Sequence, residues 1–168
     1  RSTVDADTAE VCSRVMKMAL PGGPAVPFTT GPKDHKPAFS PDGEAIAFTR
    51  PDDGGRTQIF LISTSGGEPR QLTSVEGGVS ELVWSPDSRS LAFVSEVDPD
   101  LVPIDDMLPR VNVIRRIRYR EDGEGWRGDA FHHLFVVGVE GGEARQVTDG
   151  EGDDGAAAVG RRVDQQAV

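Results

Sequence analysis

The sequence predicts an all-β fold built from repeats, and three observations carry this prediction. The segment FSPDGEAIAF (39–48) returns as WSPDSRSLAF (84–93), 45 positions further on. The segment QIFLISTSGGEPRQLT (58–73) returns as HLFVVGVEGGEARQVT (133–148), 75 positions further on. A weaker copy, RVMKMALPGGPAVPFT (14–29), lies 44 positions before residues 58–73. A period near 45 residues is typical of repeat proteins, in which each unit buries its apolar face against a neighbour.

The first half of one unit is predicted to be two strands joined by a tight turn. Residues 40–43, Ser-Pro-Asp-Gly, have the chemistry of a turn. Proline presets φ, the aspartate side chain bonds back to the main chain, and glycine accepts a positive φ. Residues 45–49 then alternate in polarity, which places Ile46 and Phe48 on one face of a strand.

The second half of the unit adds two more strands. Residues 58–63 are mostly apolar, as expected for a strand that is covered on both faces. The consecutive glycines Gly66 and Gly67 favour a primed hairpin turn, since both tolerate its dihedral angles. Residues 69–73 then form a polar outer strand. Four short antiparallel strands in a unit of about 40 to 50 residues predict a blade of a β-propeller.

The repeats predict a partial β-propeller of about three blades over residues 1–155, with the first and last blades incomplete. The third unit contains an insertion at about residues 97–131, because the two repeat shifts differ by about 30 positions. Residues 156–168 follow no repeat pattern and are expected to be a disordered tail. The predicted units are 13–38, 39–83 and 84–155.

Composition limits the classes of function. The net charge of −10 argues against a general nucleic-acid binder, because phosphate contacts need clustered lysine and arginine. No stretch approaches the roughly 20 apolar residues that a membrane span requires, so no membrane partner is expected. Cys12 is the only cysteine, which excludes an internal disulfide and favours a reducing, cytoplasmic location.

The repeat motifs and two longer segments of the chain resemble a known family. The SPDG turn and the GGEPRQLT hairpin are similar to repeats of TolB-like propellers and of the propellers of prolyl oligopeptidase family serine peptidases. Residues 29–48, TTGPKDHKPAFSPDGEAIAF, resemble the acylaminoacyl-peptidase and dipeptidyl-aminopeptidase branch of that family. Residues 114–154, which include IRRIRYREDGEGW, resemble the same branch. The resemblance extends over about residues 13–154.

The resemblance implies a non-catalytic propeller that gates peptide access to a separate α/β-hydrolase domain. In the family, the catalytic Ser, Asp and His belong to that hydrolase domain, which is the expected partner and is missing from this chain. No Gly-x-Ser-x-Gly elbow is present: residues 77–81, Gly-Gly-Val-Ser-Glu, have the wrong spacing, and no histidine follows His133. We therefore assign no catalytic residue and expect no cofactor.

Two alternatives to this function stay open. The chain could be a TolB-like protein-interaction scaffold with no enzymatic domain, or a truncated product without function. The second alternative is suggested by the loss of the repeat near Gly155, because Val159 stands where an aromatic residue followed by SPDG is expected. Unpaired strand edges on incomplete terminal blades would also allow a homo-oligomer.

The insertion contains the only basic cluster of this acidic chain. Arg116, Arg118 and Arg120 alternate along a predicted strand and therefore share one face. They are the candidates for substrate gating or interdomain contact, because arginine pairs well with peptide carboxylates and with acidic residues of a partner domain. The simpler alternative is a solvated face that pairs with neighbouring acidic residues such as Glu121.

No metal site is expected. Residues 149–155 alternate acidic residues with glycine, but a calcium-binding EF-hand loop needs glycine and glutamate where Asp154 and Gly160 stand. His132 and His133 are adjacent and would point to opposite faces of a strand. Six aromatic residues recur at equivalent repeat positions and are predicted to form the blade core: Phe39, Phe48, Phe60, Trp84, Phe93 and Phe135.

Overall fold

The computed structural model describes residues 2–4, 11–98, 120–121, 125–126 and 130–150. Within these residues every regular element is a β-strand, and none forms a helix that could cross a bilayer. The strands are β1 (Ser2–Val4), β2 (Val11–Ser13), β3 (Met16–Lys17), β4 (Val26–Pro27), β5 (His35–Phe39), β6 (Ala45–Pro51), β7 (Thr57–Ser63), β8 (Arg70–Gln71), β9 (Leu82–Trp84), β10 (Ser90–Val97), β11 (Arg120–Glu121), β12 (Gly125–Trp126), β13 (Phe131–Gly138) and β14 (Arg145–Gln146).

Two four-stranded antiparallel sheets form the centre of the described chain. The first blade contains β5, β6, β7 and β8 in that order, and the second contains β9, β10, β13 and β14. Each strand pairs with the next strand of its blade, as expected for short strands joined by tight turns. Ahead of them, β3 and β4 form a two-stranded sheet, which we call the leading hairpin. The prediction of an all-β partial propeller is confirmed.

The outer hairpins of the three repeats have the same register. In each one, the third residue of the repeated segment (14–29, 58–73 or 133–148) lies opposite the last residue of the short outer strand. This identity shows that the weak copy at residues 14–29 is a structural repeat as well as a sequence repeat. The equivalent pairs are Met16 with Pro27, Phe60 with Gln71, and Phe135 with Gln146.

A threonine at the end of each outer hairpin bonds to the strand beside it. Its hydroxyl oxygen accepts a hydrogen bond from a main-chain N–H that the short outer strand does not reach. This bond satisfies a main-chain donor in each repeat. The three bonds join Val15 N to Thr29 Oγ1 (3.3 Å), Ile59 N to Thr73 Oγ1 (2.9 Å) and Leu134 N to Thr148 Oγ1 (2.9 Å).

The two blades approach each other through their first strands. β5 and β9 are edge strands of their sheets, and they contact each other. The indole N–H of Trp84 in β9 donates to the main-chain oxygen of Ala38 in β5 at 3.0 Å. The first strand of each blade is therefore innermost, which is the arrangement around the axis of a propeller.

The main core lies between the two blades. Phe93 and Leu91 of the second blade are fully buried against Ile59 and Leu61 of the first blade. Phe93 also stacks on Phe135 within its own sheet, with ring centroids 5.5 Å apart. Burial of such apolar side chains is the main force that holds neighbouring blades together.

The prediction that six repeated aromatic residues form the blade core is wrong for one of them. Phe48 and Phe93 are fully buried, and Phe60, Phe135 and Trp84 are half-buried, but Phe39 is 68% exposed. Trp84 is covered by β5 of the preceding blade, whereas no described strand covers Phe39 in the same way. Of these two equivalent positions, the one that the first strand of the neighbouring blade contacts is half-buried and the other is exposed.

Candidate functional site

The insertion leaves and re-enters the second blade at one end of the sheets. Val97, the last residue of β10, pairs with Phe131, the first residue of β13. The same end carries residues 52–56 of the first blade and residues 74–81, which connect the two blades. We call this end the loop face. Because loops on a rigid sheet carry most binding functions, the loop face is the candidate functional site.

The predicted arginine cluster lies mostly outside the described residues. Arg116 and Arg118 are not among them. Arg120 belongs to β11, where it lies opposite Trp126 of β12. The role of Arg116, Arg118 and Arg120 in gating or interdomain contact stays a prediction.

A polar cleft of about 320 Å³ opens on the loop face between the two blades. Arg56 of the first blade and Glu76 of the connecting loop line one part of it. Glu96 and His132, which are cross-strand partners in the second blade, line another part. The cleft therefore presents both signs of charge to any ligand that enters it.

Gly77 allows the connecting loop to lie directly on the second blade. A Cβ atom at this position would overlap the main-chain oxygen of Glu96. Glycine is needed here because main chain approaches main chain, not because of an unusual φ angle. Gly77 and Glu96, which both line the polar cleft, are therefore held in direct contact.

A buried ion pair, which our reading of the sequence missed, lies at the same end of the first blade. Arg50 Nε and Nη2 donate to the two carboxylate oxygens of Asp34, at 2.6 and 3.0 Å. The Asp34 side chain is fully buried. The guanidinium group also lies 5.1 Å from the ring centroids of both Phe48 and Phe60. This bidentate geometry ties the start of β5 to the end of β6.

Gly31 makes room for this ion pair. A Cβ at Gly31 would lie 2.5 Å from Arg50 Nε and from Asp34 Oδ1. Asp34 and Arg50 are 16 positions apart and belong to no local motif, so the sequence alone offers no signal for their contact. The second blade has Val79 and Ser95 at the positions that correspond by the 45-residue shift.

Gln58 holds the connecting loop against the first blade. Its side chain is fully buried, donates to the main-chain oxygen of Val75 at 2.9 Å and accepts from Val75 N at 3.1 Å. The Thr73 hydroxyl donates to the same side-chain oxygen at 2.9 Å. His133 stands at the equivalent position of the second blade, where it is buried near the Thr148 hydroxyl.

A serine and a histidine meet near β5 but do not form a catalytic pair. Ser13 Oγ lies 3.0 Å from His35 Nε2 and 3.2 Å from His35 Nδ1. Because the two distances are nearly equal, the hydroxyl is not aligned with either ring nitrogen alone. The neighbouring Asp34 carboxylate is held by Arg50 and does not orient the imidazole as a triad acid would.

The opposite end of the sheets, the turn face, carries two matching acidic turns. Ser40 Oγ donates to Asp42 Oδ1, and Ser85 Oγ donates to Asp87 Oδ1, both at 2.6 Å. The serine hydroxyl is the main cause that lowers the pKa of each aspartate, and a main-chain N–H two residues further on adds to it. Within residues 11–98 and 130–150, no three His, Cys, Asp or Glu side chains group as metal ligands.

Comparison with known proteins connects this fold to peptidases. No protein-family model matches the chain. The chain is 32% identical over 165 residues to the uncharacterized peptidase YuxL of Bacillus subtilis, which corresponds to 94% of this chain and 25% of that protein. The chain thus spans about a quarter of the length of this relative.

Two solved structures have a similar fold. The acylaminoacyl peptidase of Pyrococcus horikoshii matches with a TM-score of 0.66 and 16% identity, over 87% of this chain and 22% of that one. TolB from Acinetobacter baumannii matches with a TM-score of 0.51 and 17% identity, over 88% of this chain and 29% of that one. At these identities the structures show the fold alone. The chain is a partial β-propeller whose fold is similar to part of an acylaminoacyl peptidase and whose sequence is similar to a segment of a peptidase, which agrees with its resemblance to the propellers of the prolyl oligopeptidase family.

Proposed function

We propose that this chain is the non-catalytic propeller portion of a serine peptidase of the prolyl oligopeptidase family. In this proposal it gates the access of peptides to a separate α/β-hydrolase domain. The observation that carries the proposal is the 32% identity to a peptidase over 94% of the chain. The sequence has no nucleophile elbow, so the hydrolytic chemistry belongs to the partner domain.

The structure supports a passive, selective role. The two blades share a buried apolar core, the ion pair of Asp34 and Arg50 braces the first blade beside the loop face, and Gln58 holds the connecting loop at Val75. A packed wall with a polar cleft can exclude folded or bulky chains while it tolerates short peptides. Selection by shape in this way needs no reactive side chain.

A chimaeric peptidase tests the gating function. Residues 1–154 would replace the matching segment of the Bacillus peptidase, and hydrolysis of a chromogenic dipeptide would be compared with that of a 40-residue peptide. We expect the chimaera to cleave the dipeptide at least ten times more efficiently than the longer peptide. The same enzyme with its propeller deleted, as a control, should cleave both substrates. A folded chimaera that cleaves both equally well would contradict gating.

A second experiment tests the absence of catalysis. The purified chain would be treated with a fluorophosphonate probe, which labels activated serine nucleophiles. We expect no labelling of the chain, and labelling of chymotrypsin, a serine peptidase with an activated nucleophile, as the positive control. Stoichiometric labelling of the chain would show that it contains its own activated serine, against the proposal.

The second candidate function is a TolB-like interaction scaffold without an enzymatic domain. The fold similarity to TolB over 88% of the chain favours this candidate. The complete reading frame discriminates between the two. A hydrolase domain encoded downstream supports the peptidase function, whereas an export signal encoded upstream, with no hydrolase domain, supports the scaffold.

A further inference from the structure

The outermost strand of each blade has a partner strand on one side only, among the residues that the structure describes. Here β8 pairs only with β7, and β14 pairs only with β13. The main-chain groups along such an edge are a template for pairing with another chain. Beside β8 there is also space, because a crevice of about 540 Å³ lies between residues 71–75 and residues 142–144 of the second blade. The edge of β8 is therefore not protected by a described element that fills this space.

Main-chain hydrogen bonds show which residue of each outer hairpin faces outward. In both blades, the residue after the outer strand donates its N–H to the apolar strand beside it. Main-chain groups of adjacent residues along a strand point to opposite sides. The N–H and C=O groups of Gln71 and Gln146, the last residues of β8 and β14, are therefore directed away from the sheet. The two equivalent bonds join Leu72 N to Ile59 O (2.8 Å) and Val147 N to Leu134 O (2.7 Å).

The side chain of each of these glutamines bonds back to its own strand. Gln71 Nε2 donates to the main-chain oxygen of Thr73 at 2.7 Å. Gln146 Nε2 donates to the main-chain oxygen of Thr148 at 2.8 Å. Both glutamine residues are exposed, so burial does not impose this conformation. The bond occupies a main-chain acceptor just beyond the outer strand, which a further strand would otherwise be able to use.

The leading hairpin has a proline at the same position. Pro27 stands 44 positions before Gln71 and is also exposed. Its neighbour Phe28 donates to Val15 O at 2.8 Å, in the bond that corresponds to those of the two blades. Proline has no N–H, so at an outward-facing position it removes the donor that a further strand would need. One position of the repeat therefore limits pairing at the outer edge in all three hairpins.

We propose that Gln71 and Gln146 protect the blades against strand addition by a second copy of this chain. Each side chain satisfies an acceptor from within its own strand, so an incoming strand would have to break this bond before it could pair. The occupant of an unprotected edge is the same outer strand of another copy, because two edges of identical sequence can pair antiparallel about a twofold axis. The proposal is independent of the gating function.

Substitution of both glutamines tests the proposal. The double variant Gln71→Met, Gln146→Met keeps the length of the two side chains but has no donor for the main-chain oxygens. We call it the glutamine variant. Because both residues are exposed, we expect its melting temperature to stay within about 4 °C of that of the parent. By sedimentation velocity we expect its self-association to be roughly tenfold tighter than that of the parent.

A second double variant controls for the added apolar surface. Glu143→Met, Arg145→Met introduces the same two methionines at exposed positions, and it leaves the net charge unchanged. Arg145 lies in β14 next to Gln146, but by the same alternation its main-chain groups face β13. We expect this control variant to associate no more tightly than the parent.

Amide hydrogen exchange locates the contact between the copies. In the associated glutamine variant, the amide hydrogens of residues 71 and 146 should exchange roughly tenfold more slowly than at concentrations where it is monomeric, because the added strand accepts them. A glutamine variant that associates no more tightly than the parent, or a control variant that associates equally, would overturn the proposal. Association without slower exchange at residues 71 and 146 would also overturn it. A lower melting temperature without association would assign the bond to the local turn alone, which again contradicts the proposal.

Discussion

The main-chain N–H of Asp42 donates a hydrogen bond to Ser88 Oγ at 3.1 Å, so that the equivalent turns of the two blades are joined. Ser88 has a φ of +59°, where the first blade has Gly43 with a φ of +75°. A left-handed conformation costs a non-glycine residue roughly 1 kcal/mol. The second blade thus accepts local strain at a position where a hydroxyl group reaches the neighbouring turn.

Substitution of Ser88 separates the strain from the hydrogen bond. Ser88→Ala keeps the strain and loses the bond, so we expect the free energy of unfolding to fall by about 1 kcal/mol. Ser88→Gly loses the bond but relieves the strain, and should lie within about 0.5 kcal/mol of the parent. Urea unfolding of the three proteins measures these differences. An alanine variant as stable as the glycine variant would contradict this account.

The two acidic turns predict how stability depends on pH. The pKa of Asp42 and that of Asp87 are lowered from 3.8 in the folded state, chiefly by the hydroxyls of Ser40 and Ser85. A carboxylate with a lowered pKa stabilises the fold above its unfolded pKa, and this contribution is lost as the pH falls through the folded pKa. We therefore expect the melting temperature to fall below about pH 4.

Removal of the two carboxylates tests this pH dependence. The double variant Asp42→Asn, Asp87→Asn should have a shallower loss of melting temperature between about pH 4 and pH 2.5 than the parent. Asp53→Asn is the matched control, because Asp53 is exposed in the loop between β6 and β7. If the melting temperature fell equally with pH in the double variant and in the parent, the two aspartates would not contribute to the pH dependence of stability.

Because the ion pair of Asp34 and Arg50 is buried, we expect substitutions of its two residues to have strongly non-additive effects on the free energy of unfolding. Arg50→Met keeps much of the apolar stem over the phenyl rings but leaves the Asp34 carboxylate buried and unpaired. We expect the variant to lose about 3–5 kcal/mol in the free energy of unfolding. The double variant Asp34→Asn, Arg50→Met should recover at least half of this loss, because no charge then remains buried.

A double-mutant cycle in urea measures this coupling. The coupling free energy between Asp34 and Arg50 should exceed about 1.5 kcal/mol, as for other residues in direct contact. Lys36 and Glu81, which are half-exposed, provide the matched pair, and their coupling should stay below about 1 kcal/mol. Equal coupling in the two pairs would show that burial does not strengthen the interaction of Asp34 with Arg50.

Sequence reasoning succeeded where the determinants are local or repeated. The Ser40–Gly43 turn follows from the dihedral preferences of adjacent residues, and Gly43 has a positive φ as expected. Gly66 and Gly67 also have positive φ, but the prediction of a primed turn centred on them is wrong. The hydrogen-bonded turn runs from Ser63 to Gly66, and residues 64–69 join β7 to β8. The equivalence of the three outer hairpins follows from the repeat itself. Burial of Phe48 and Phe93 follows from alternation along a strand.

The sequence did not predict the side-chain exposures and contacts that depend on which strand or blade lies next to a residue. Phe39 has the same local context as Trp84, but its exposure is set by the absence of a covering strand among the described residues. The contact of Asp34 with Arg50 arises because β5 and β6 pair, and no spacing rule for a single strand reveals it. The polar cleft likewise exists only once two blades are placed side by side.

The close main-chain contact at Gly77 predicts that adding a single methyl group there destabilises the fold. Gly77→Ala would place a Cβ against the Glu96 main chain, which cannot move without disturbing β10. We expect a loss of about 2–3 kcal/mol in the free energy of unfolding, since overpacking forces the main chain to shift. Gly23→Ala is the matched control, because its Cβ would meet only ordinary contacts with Ala19 at 3.4 Å or more.

The same substitution connects stability to the proposed gating. Because Gly77 sets how closely the connecting loop lies on the second blade, its displacement should widen the cleft between the blades. Amide hydrogen exchange should therefore rise at Ser80 and Val94, whose main-chain groups bond across this contact, more than within β6 and β7. In the chimaeric peptidase, Gly77→Ala should increase cleavage of the 40-residue peptide relative to the dipeptide, whereas Gly23→Ala should not. Faster exchange without any change in substrate selection would separate the stability of this interface from the control of access.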